Sequence, residues 1–231
     1  MSFLNRKKIS NYIFQIGFNR CGTTSIAKFF KENGYSAAHW EKGTLAVGME
    51  LARLEEQPLL TYCKEFDIYT DLEKVNMWRL PELKWRYPIF RKYLKKVDED
   101  MSVKPPIYAY KYYQFLEEQY PESKFILNTR DKTGWIESRL NLNKNKNNRI
   151  TYRSCKCGDN FHESKDELIK CWEEEWDNHH EKVLEYFSDK EERLLYFNIE
   201  KDKIEKLINF FPELELDIQH WKKRNKTVSK R

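Results

Sequence analysis

The chain has 231 residues, with 42 Lys and Arg against 37 Asp and Glu and a formal net charge of +5. That mild, interspersed charge argues against a nucleic-acid partner and suits an anionic small ligand in a local basic pocket. Only seven Gly and seven Pro beside 14 Tyr, 14 Phe and 7 Trp exclude disorder and a turn-dominated all-β chain, leaving one folded domain over 1–231.

The start, "MSFLNRKKIS", places basic residues before an apolar run and superficially looks like a leader. The run is short and leads straight into a glycine loop, so it reads as a first strand, Tyr12 to Ile16. After the loop, "TTSIAKFFKENG" sets Ile26, Phe29 and Phe30 at helical spacing, and Gly34 stands where a helix ends. "YSAAHW" is a second short strand finishing at His39, and "GTLAVGMELARLEEQ" a helix closed by Pro58. "FDIYTD" is a third strand ending in Asp71. Residues 72–104 are mixed in charge and aromatics and predict helix and loop without clear periodicity. A helix then runs to about Tyr120, a turn follows, and an apolar strand at Phe125–Leu127 leads to Arg130. "TGWIESRLNL" is again a helix. Residues 141–163 are polar and aperiodic, a mobile loop by composition. Ser164 and Glu167 make a capping-box pattern opening the longest helix. Its buried stripe is Leu168, Trp172, Trp176, His180, Val183 and Phe187. "RLLYFN" and "DKIEKLINFF" give a last strand and helix. Strands alternate with helices throughout, which predicts an α/β fold with a mostly parallel sheet flanked by helices in three layers. Ligands of such sheets gather at the strands' carboxyl ends.

"FQIGFNRCGTTSI" carries the strongest chemical signal. Gly17 and Gly22 stand at the spacing of a phosphate-binding loop, but Thr23 and Thr24 follow where Lys and Ser/Thr would hold a nucleoside triphosphate. The basic residue is Arg20, before Gly22. Amides and the positive dipole end of the following helix favour phosphate or sulfate, and the hydroxyls of Thr23, Thr24 and Ser25 add uncharged donors.

"IGFNRCGTTSI" resembles the 5′-phosphosulfate loop of the sulfotransferases, enzymes that use 3′-phosphoadenosine 5′-phosphosulfate (PAPS). In that family Lys or Arg precedes the Gly of G-T-T by two residues, matching Arg20; Cys21 stands where Thr or Ser is usual. "FILNTRDKTGWIES" resembles the family's 3′-phosphate element, an apolar strand ending in Arg with Ser eight residues on. Arg130 and Ser138 fit it, as a bidentate guanidinium and a hydroxyl donor suit phosphate. Lys132 replaces a frequent Pro. "FDIYTDLE", "YPESKFILNTRD", "WDNHHEKVLEYF", "RLLYFNIE" and "HWKKRNKT" extend the similarity to a compact, soluble branch of the family over most of the chain. The resemblance implies a P-loop-NTPase-like sulfotransferase fold and PAPS as co-substrate without a metal. The nucleotide would be bound by Arg20, Cys21, Gly22, Thr23, Thr24, Ser25, Arg130 and Ser138, with Arg224 and Asn225 closing over it.

Sulfonate transfer needs a group to take the acceptor's proton. The resemblance points to Asp71, at the position where relatives carry His or an acid; "TD" before Leu-Glu is equally an ordinary helix N-cap. His39 is the second candidate base. Trp40, Trp85 and Tyr87 are candidates for an acceptor pocket, which the sequence leaves open among small molecules, glycans and peptides. Cys155, Cys157, His162 and Cys171 do not match a common zinc spacing. Five cysteines, an odd number with no evident leader, predict free thiols in a reducing compartment, hence the cytoplasm; no apolar run approaches the roughly 20 residues of a membrane span. A nucleotide kinase or NTPase, and a catalytically silent nucleotide-binding protein, are the alternatives. Oligomeric state is not legible.

Overall fold

The computed structural model describes residues 7, 9–75, 77–97, 106–142, 156, 157, 160, 161 and 164–222. The chain begins with β1 (Ile13–Gln15), α1 (Thr23–Glu32), β2 (Ala37–His39), α2 (Thr44–Leu54) and β3 (Ile68–Thr70). A two-residue strand β4 (Glu73–Lys74), α3 (Leu80–Leu83), α4 (Pro88–Lys96), β5 (Ile107–Tyr108) and α5 (Tyr113–Gln119) come next. Then follow β6 (Lys124–Thr129), α6 (Lys132–Leu142), β7 (Lys156–Cys157), β8 (Asn160–Phe161), α7 (Lys165–Tyr186), β9 (Leu194–Asn198) and α8 (Ile204–Phe210).

Five strands form one wholly parallel sheet in the order β2-β3-β1-β6-β9. Side chains alternate across it with the period of two that a strand imposes. Phe14, Tyr69, Phe125 and Leu127 face one layer, with Trp172, Val183 and Phe187 of the α7 segment. Ile13, Ile68, Ile126 and Leu195 face the other, with Ile26, Phe29 and Phe30 of α1 and Leu207 of α8. Both faces are covered, which is why β1 and β6 read as nearly continuous apolar runs. The strand order extends outward on both sides of β1, so the crevice at the carboxyl ends opens beside the loop that follows it.

Several details differ from expectation. Residues 72–104 hold β4, α3 and α4, and β4 pairs antiparallel with β5. Two residues are too few to show alternation in a sequence. Asp71 caps no helix: it leaves β3 at φ 59° and leads into β4. The expected loop at 141–163 lies largely outside the described residues, though α6 reaches Leu142 and β7 pairs with β8. Cys157 and Cys171 form a disulfide, a correction to the expectation of free thiols, while Cys21 and Cys63 are free. The capping box is real at its serine, whose Oγ accepts from the Glu167 amide at 3.2 Å. Among the described residues no helix is long and apolar enough to cross a membrane.

Candidate functional site

Each strand of the sheet delivers a polar group to its carboxyl end. In spatial order these are His39 at the end of β2, Asp71 after β3, the 16–22 loop after β1, Arg130 after β6 and Glu200 after β9. The loop is held by its carbonyls. His179 Nε2 donates to the Ile16 carbonyl at 2.7 Å, Gln15 Nε2 to that of Gly17 at 2.6 Å, and Trp135 Nε1 to that of Asn19 at 3.1 Å. Asn128 Nδ2 donates to the carbonyls of Phe18 at 3.3 Å and Cys21 at 2.9 Å, and Arg130 Nη1 to that of Arg20 at 3.3 Å. Six consecutive carbonyls are thus drawn toward protein donors. Of the amides at the opposite ends of these peptide units, those of residues 18–22 donate to no group among the described residues. The first turn of α1 has no side-chain cap and no acidic residue, and Gly22 precedes it at φ 84°. An anion is the partner that such an arrangement of amides and dipole favours.

Two arginines adjoin this loop. Arg20, itself at φ 64°, donates from Nε to Ser138 Oγ at 2.9 Å. Non-glycine residues at positive φ cost of order 1 kcal/mol or more, and here both the backbone carbonyl and the side chain of Arg20 are tied down. Arg130 reaches over Gly134, where an added Cβ would meet its Nη2 at 3.3 Å. Ser138 lies one turn further along the same face of α6. Arg130 Nη2 pairs with Glu200 Oε1, while its buried Nε has no hydrogen-bond partner among the described residues. The glycine loop and the Arg130–Ser138 element are therefore in direct contact.

On the other side of the loop lie the candidate bases. Thr70 gives its hydroxyl hydrogen to the Ala38 carbonyl at 2.9 Å, so its oxygen accepts from His39 Nδ1 at 3.2 Å. The neutral ring then has a bare Nε2, which accepts from the Thr24 hydroxyl at 3.0 Å. Burial, with Lys31 and Lys28 nearby, lowers the His39 pKa to about 4. His39 is neutral at pH 7, and its 3.8 Å approach to Asp71 Oδ2 is not an ion pair there. Asp71 is the stronger base. Burial first and the Glu73 carboxylate second push it up to about 8, against the opposing pull of Arg20 and Arg139. Its amide donates to Gln15 Oε1 at 2.8 Å, which locks the backbone, and its buried Oδ1 has no partner among the described residues. Glu73 is pushed up to about 7, chiefly by burial. It is steadied by Asn19 Nδ2 and by the charge of Arg139, which lies over the rings of Trp135 and Trp172.

The structure brings Arg20, Gly22, Thr24, His39, Asp71, Arg130 and Ser138 to one edge of the sheet. Cys21 is fully buried, and Thr23 and Ser25 are buried as well. Arg224 and Asn225 lie outside the described residues. Trp40 follows His39 and stays exposed, with Lys74 Nζ 5.9 Å from its ring; Trp85 is more exposed still. Cys155 and His162 are outside the described residues, and among those described no three His, Cys, Asp or Glu gather as a metal site. Sequence reasoning missed Gln15, Asn128, Glu73 and Glu200. The first two carried a signal, an amide inside an otherwise apolar strand, and both are fully buried.

The profile of the sulfotransferase domain matches residues 12–214. No curated protein matches the chain. The match spans the sheet, both arginine elements and Asp71, and the chain therefore belongs to the sulfotransferase domain family.

Proposed function

We propose that the chain, as one domain, transfers the sulfonate of PAPS to a hydroxyl or amine of a small-molecule, glycan or peptide acceptor by in-line displacement. One observation carries this reading. Two anion-binding elements meet through Arg20, whose side chain holds Ser138 and whose carbonyl holds Arg130, beside a buried carboxylate of raised pKa. A nucleotide with anionic groups on both its 5′ and 3′ oxygens suits such a pair of sites. It supplies an activated sulfonate and a phosphate leaving group.

In this proposal the loop amides and the start of α1 hold the 5′ end, and Arg20 stabilises charge growing on the leaving oxygen. Arg130 and Ser138 hold the 3′-phosphate. Asp71 takes the acceptor's proton. His39 fixes Thr24 through Nε2 and, as the weaker base, acts by positioning. A nucleotide kinase or NTPase would need a lysine at Thr23, whose side chain is buried in the first turn of α1.

Calorimetric titration with adenosine 3′,5′-bisphosphate and with adenosine 5′-monophosphate tests the donor. The wild type should prefer the bisphosphate. Arg130→Ala should weaken that ligand by about 1.5–3 kcal/mol, the usual worth of a charged hydrogen bond, and leave the monophosphate nearly unchanged. Equal wild-type affinity for the two nucleotides removes the role given to Arg130. Sulfonate transfer from PAPS to a panel of phenols, sugars and amines tests the reaction, and metal-dependent ATP turnover in its place would favour the kinase reading.

A further inference from the structure

Glu200 has no part in the scheme above, yet it occupies the group on which nucleotide recognition depends. Its Oε1 takes Nη2 of Arg130 and its Oε2 accepts from the Asp131 amide at 3.0 Å. The turn that presents it is held by hydrogen bonds on both sides. The Ile199 amide donates to the Thr129 carbonyl at 2.9 Å, which joins the exits of β6 and β9. Asn198 Oδ1 accepts from the amides of both Glu200 and Lys201 at 3.0 Å, a side-chain turn of the kind Asn readily makes. Among the described residues Arg130 is meanwhile committed at two of its three nitrogens, its buried Nε having no partner there.

We propose that Glu200 is a built-in competitor for the 3′-phosphate, which holds Arg130 between turnovers and speeds departure of the spent nucleotide. This inference rests on the assignment of Arg130 to the 3′-phosphate. The competition is unequal in a useful way. Glu200 offers a single charge, and its side chain is 39% exposed, so solvent weakens the pair. A phosphate brings close to two charges and three acceptor oxygens, enough to displace the carboxylate. The displaced carboxylate stays beside the phosphate it has yielded to, because its turn is fixed by Asn198. Like-charge repulsion then favours release, and Glu200 recaptures Arg130 as the nucleotide leaves. A ligand without a 3′-phosphate leaves the Arg130–Glu200 pair intact and escapes the competition.

The test is stopped-flow and calorimetric binding of adenosine 3′,5′-bisphosphate and adenosine 5′-monophosphate to the wild type, Glu200→Gln and Glu200→Ala. Glutamine keeps an oxygen for the Asp131 amide and removes the charge; alanine removes both. Thermal melting confirms that each variant is folded, as the exposure of Glu200 leads one to expect. Both variants should bind the bisphosphate about tenfold more tightly, mostly through slower dissociation, with monophosphate affinity unchanged. Unaltered or weakened bisphosphate binding in folded variants of a protein that prefers the bisphosphate overturns the role of Glu200 alone. A wild type that shows no such preference overturns the assignment of Arg130, and the role of Glu200 with it.

Discussion

Asp71→Asn should lower the rate of sulfonate transfer by about 10²–10⁴-fold, the range expected for loss of a general base, while binding of adenosine 3′,5′-bisphosphate stays close to that of the wild type. Asn keeps the shape and removes the proton acceptor. The pH dependence follows from the same group. Burial and Glu73 push the Asp71 carboxyl up to about 8, and the base works only when ionised. At saturating substrates the wild-type rate should therefore climb about tenfold per pH unit and level off near pH 8. The asparagine variant should lack that limb. His39→Gln is the matching control: a ring already neutral at pH 7, with a pKa lowered to about 4, contributes no titration in this window. A variant at position 71 that retains the limb, or more than a tenth of the rate, would remove Asp71 from the reaction.

The raised pKa also bears on stability. An ordinary aspartate titrates near 3.9 in the unfolded chain, so the folded protein holds the Asp71 proton more tightly. The associated stability is complete below that ordinary value and is lost as pH rises through the folded pKa of about 8. Keeping an ionised carboxylate at the end of β3 thus costs the fold at alkaline pH. Asp71→Asn should melt higher than the wild type at pH 8–9, with the gap closing toward pH 4. A variant that loses activity yet gains alkaline stability marks a residue retained for chemistry.

Most of the frame was legible because its signals are local. The all-buried runs around Phe14 and Phe125, the glycine loop and the stripe of Leu168, Trp172 and Trp176 each follow from neighbours in the chain. Arg20 was found from its place before Gly22 in the glycine loop, and Arg130 and Asp71 because they follow strands directly. The means by which they are held were not. Carbonyls of residues 16–21 are bound by side chains from β1, β6, the start and interior of α6's segment, and α7, and no sequence window contains that set. Glu200 is similar: its partner is 70 residues away in the chain, and no local pattern marks that pairing. Gln15 and Asn128 were the readable exceptions, since a buried amide in an apolar strand needs partners. Asking what they bind would have led to the loop.

Gly17→Ala should be the most damaging of the single-methyl changes. An added Cβ would lie 2.2 Å from the Asn128 carbonyl oxygen, 2.3 Å from its Oδ1 and 2.8 Å from its amide nitrogen. Two of those atoms are backbone of β6, which is paired with β1 on one side and β9 on the other, so that strand cannot retreat without breaking a ladder. The third is the oxygen that accepts from Gln15 Nε2, and moving it disturbs the amide that also donates to Phe18 and Cys21. Overpacking ordinarily costs about 1–3 kcal/mol; a clash with fixed backbone belongs at or above the top of that range. At roughly 2–4 °C per kcal/mol for a chain of this size, melting should fall by about 6–12 °C, with bisphosphate binding lost as the loop carbonyls come free. Gly22→Ala supplies the contrast. Its Cβ meets Ile199 Cδ1 at 2.0 Å and Cγ1 at 2.8 Å, side-chain atoms and no paired backbone, so to the cost of alanine at φ 84°, about 1–2 kcal/mol, is added only a shift of that one side chain. If the two variants melt together, or if Gly17→Ala keeps its nucleotide, then the carbonyl clamp does not hold the loop. The amides of residues 18–22 would then owe their orientation to something other than Asn128 and Gln15.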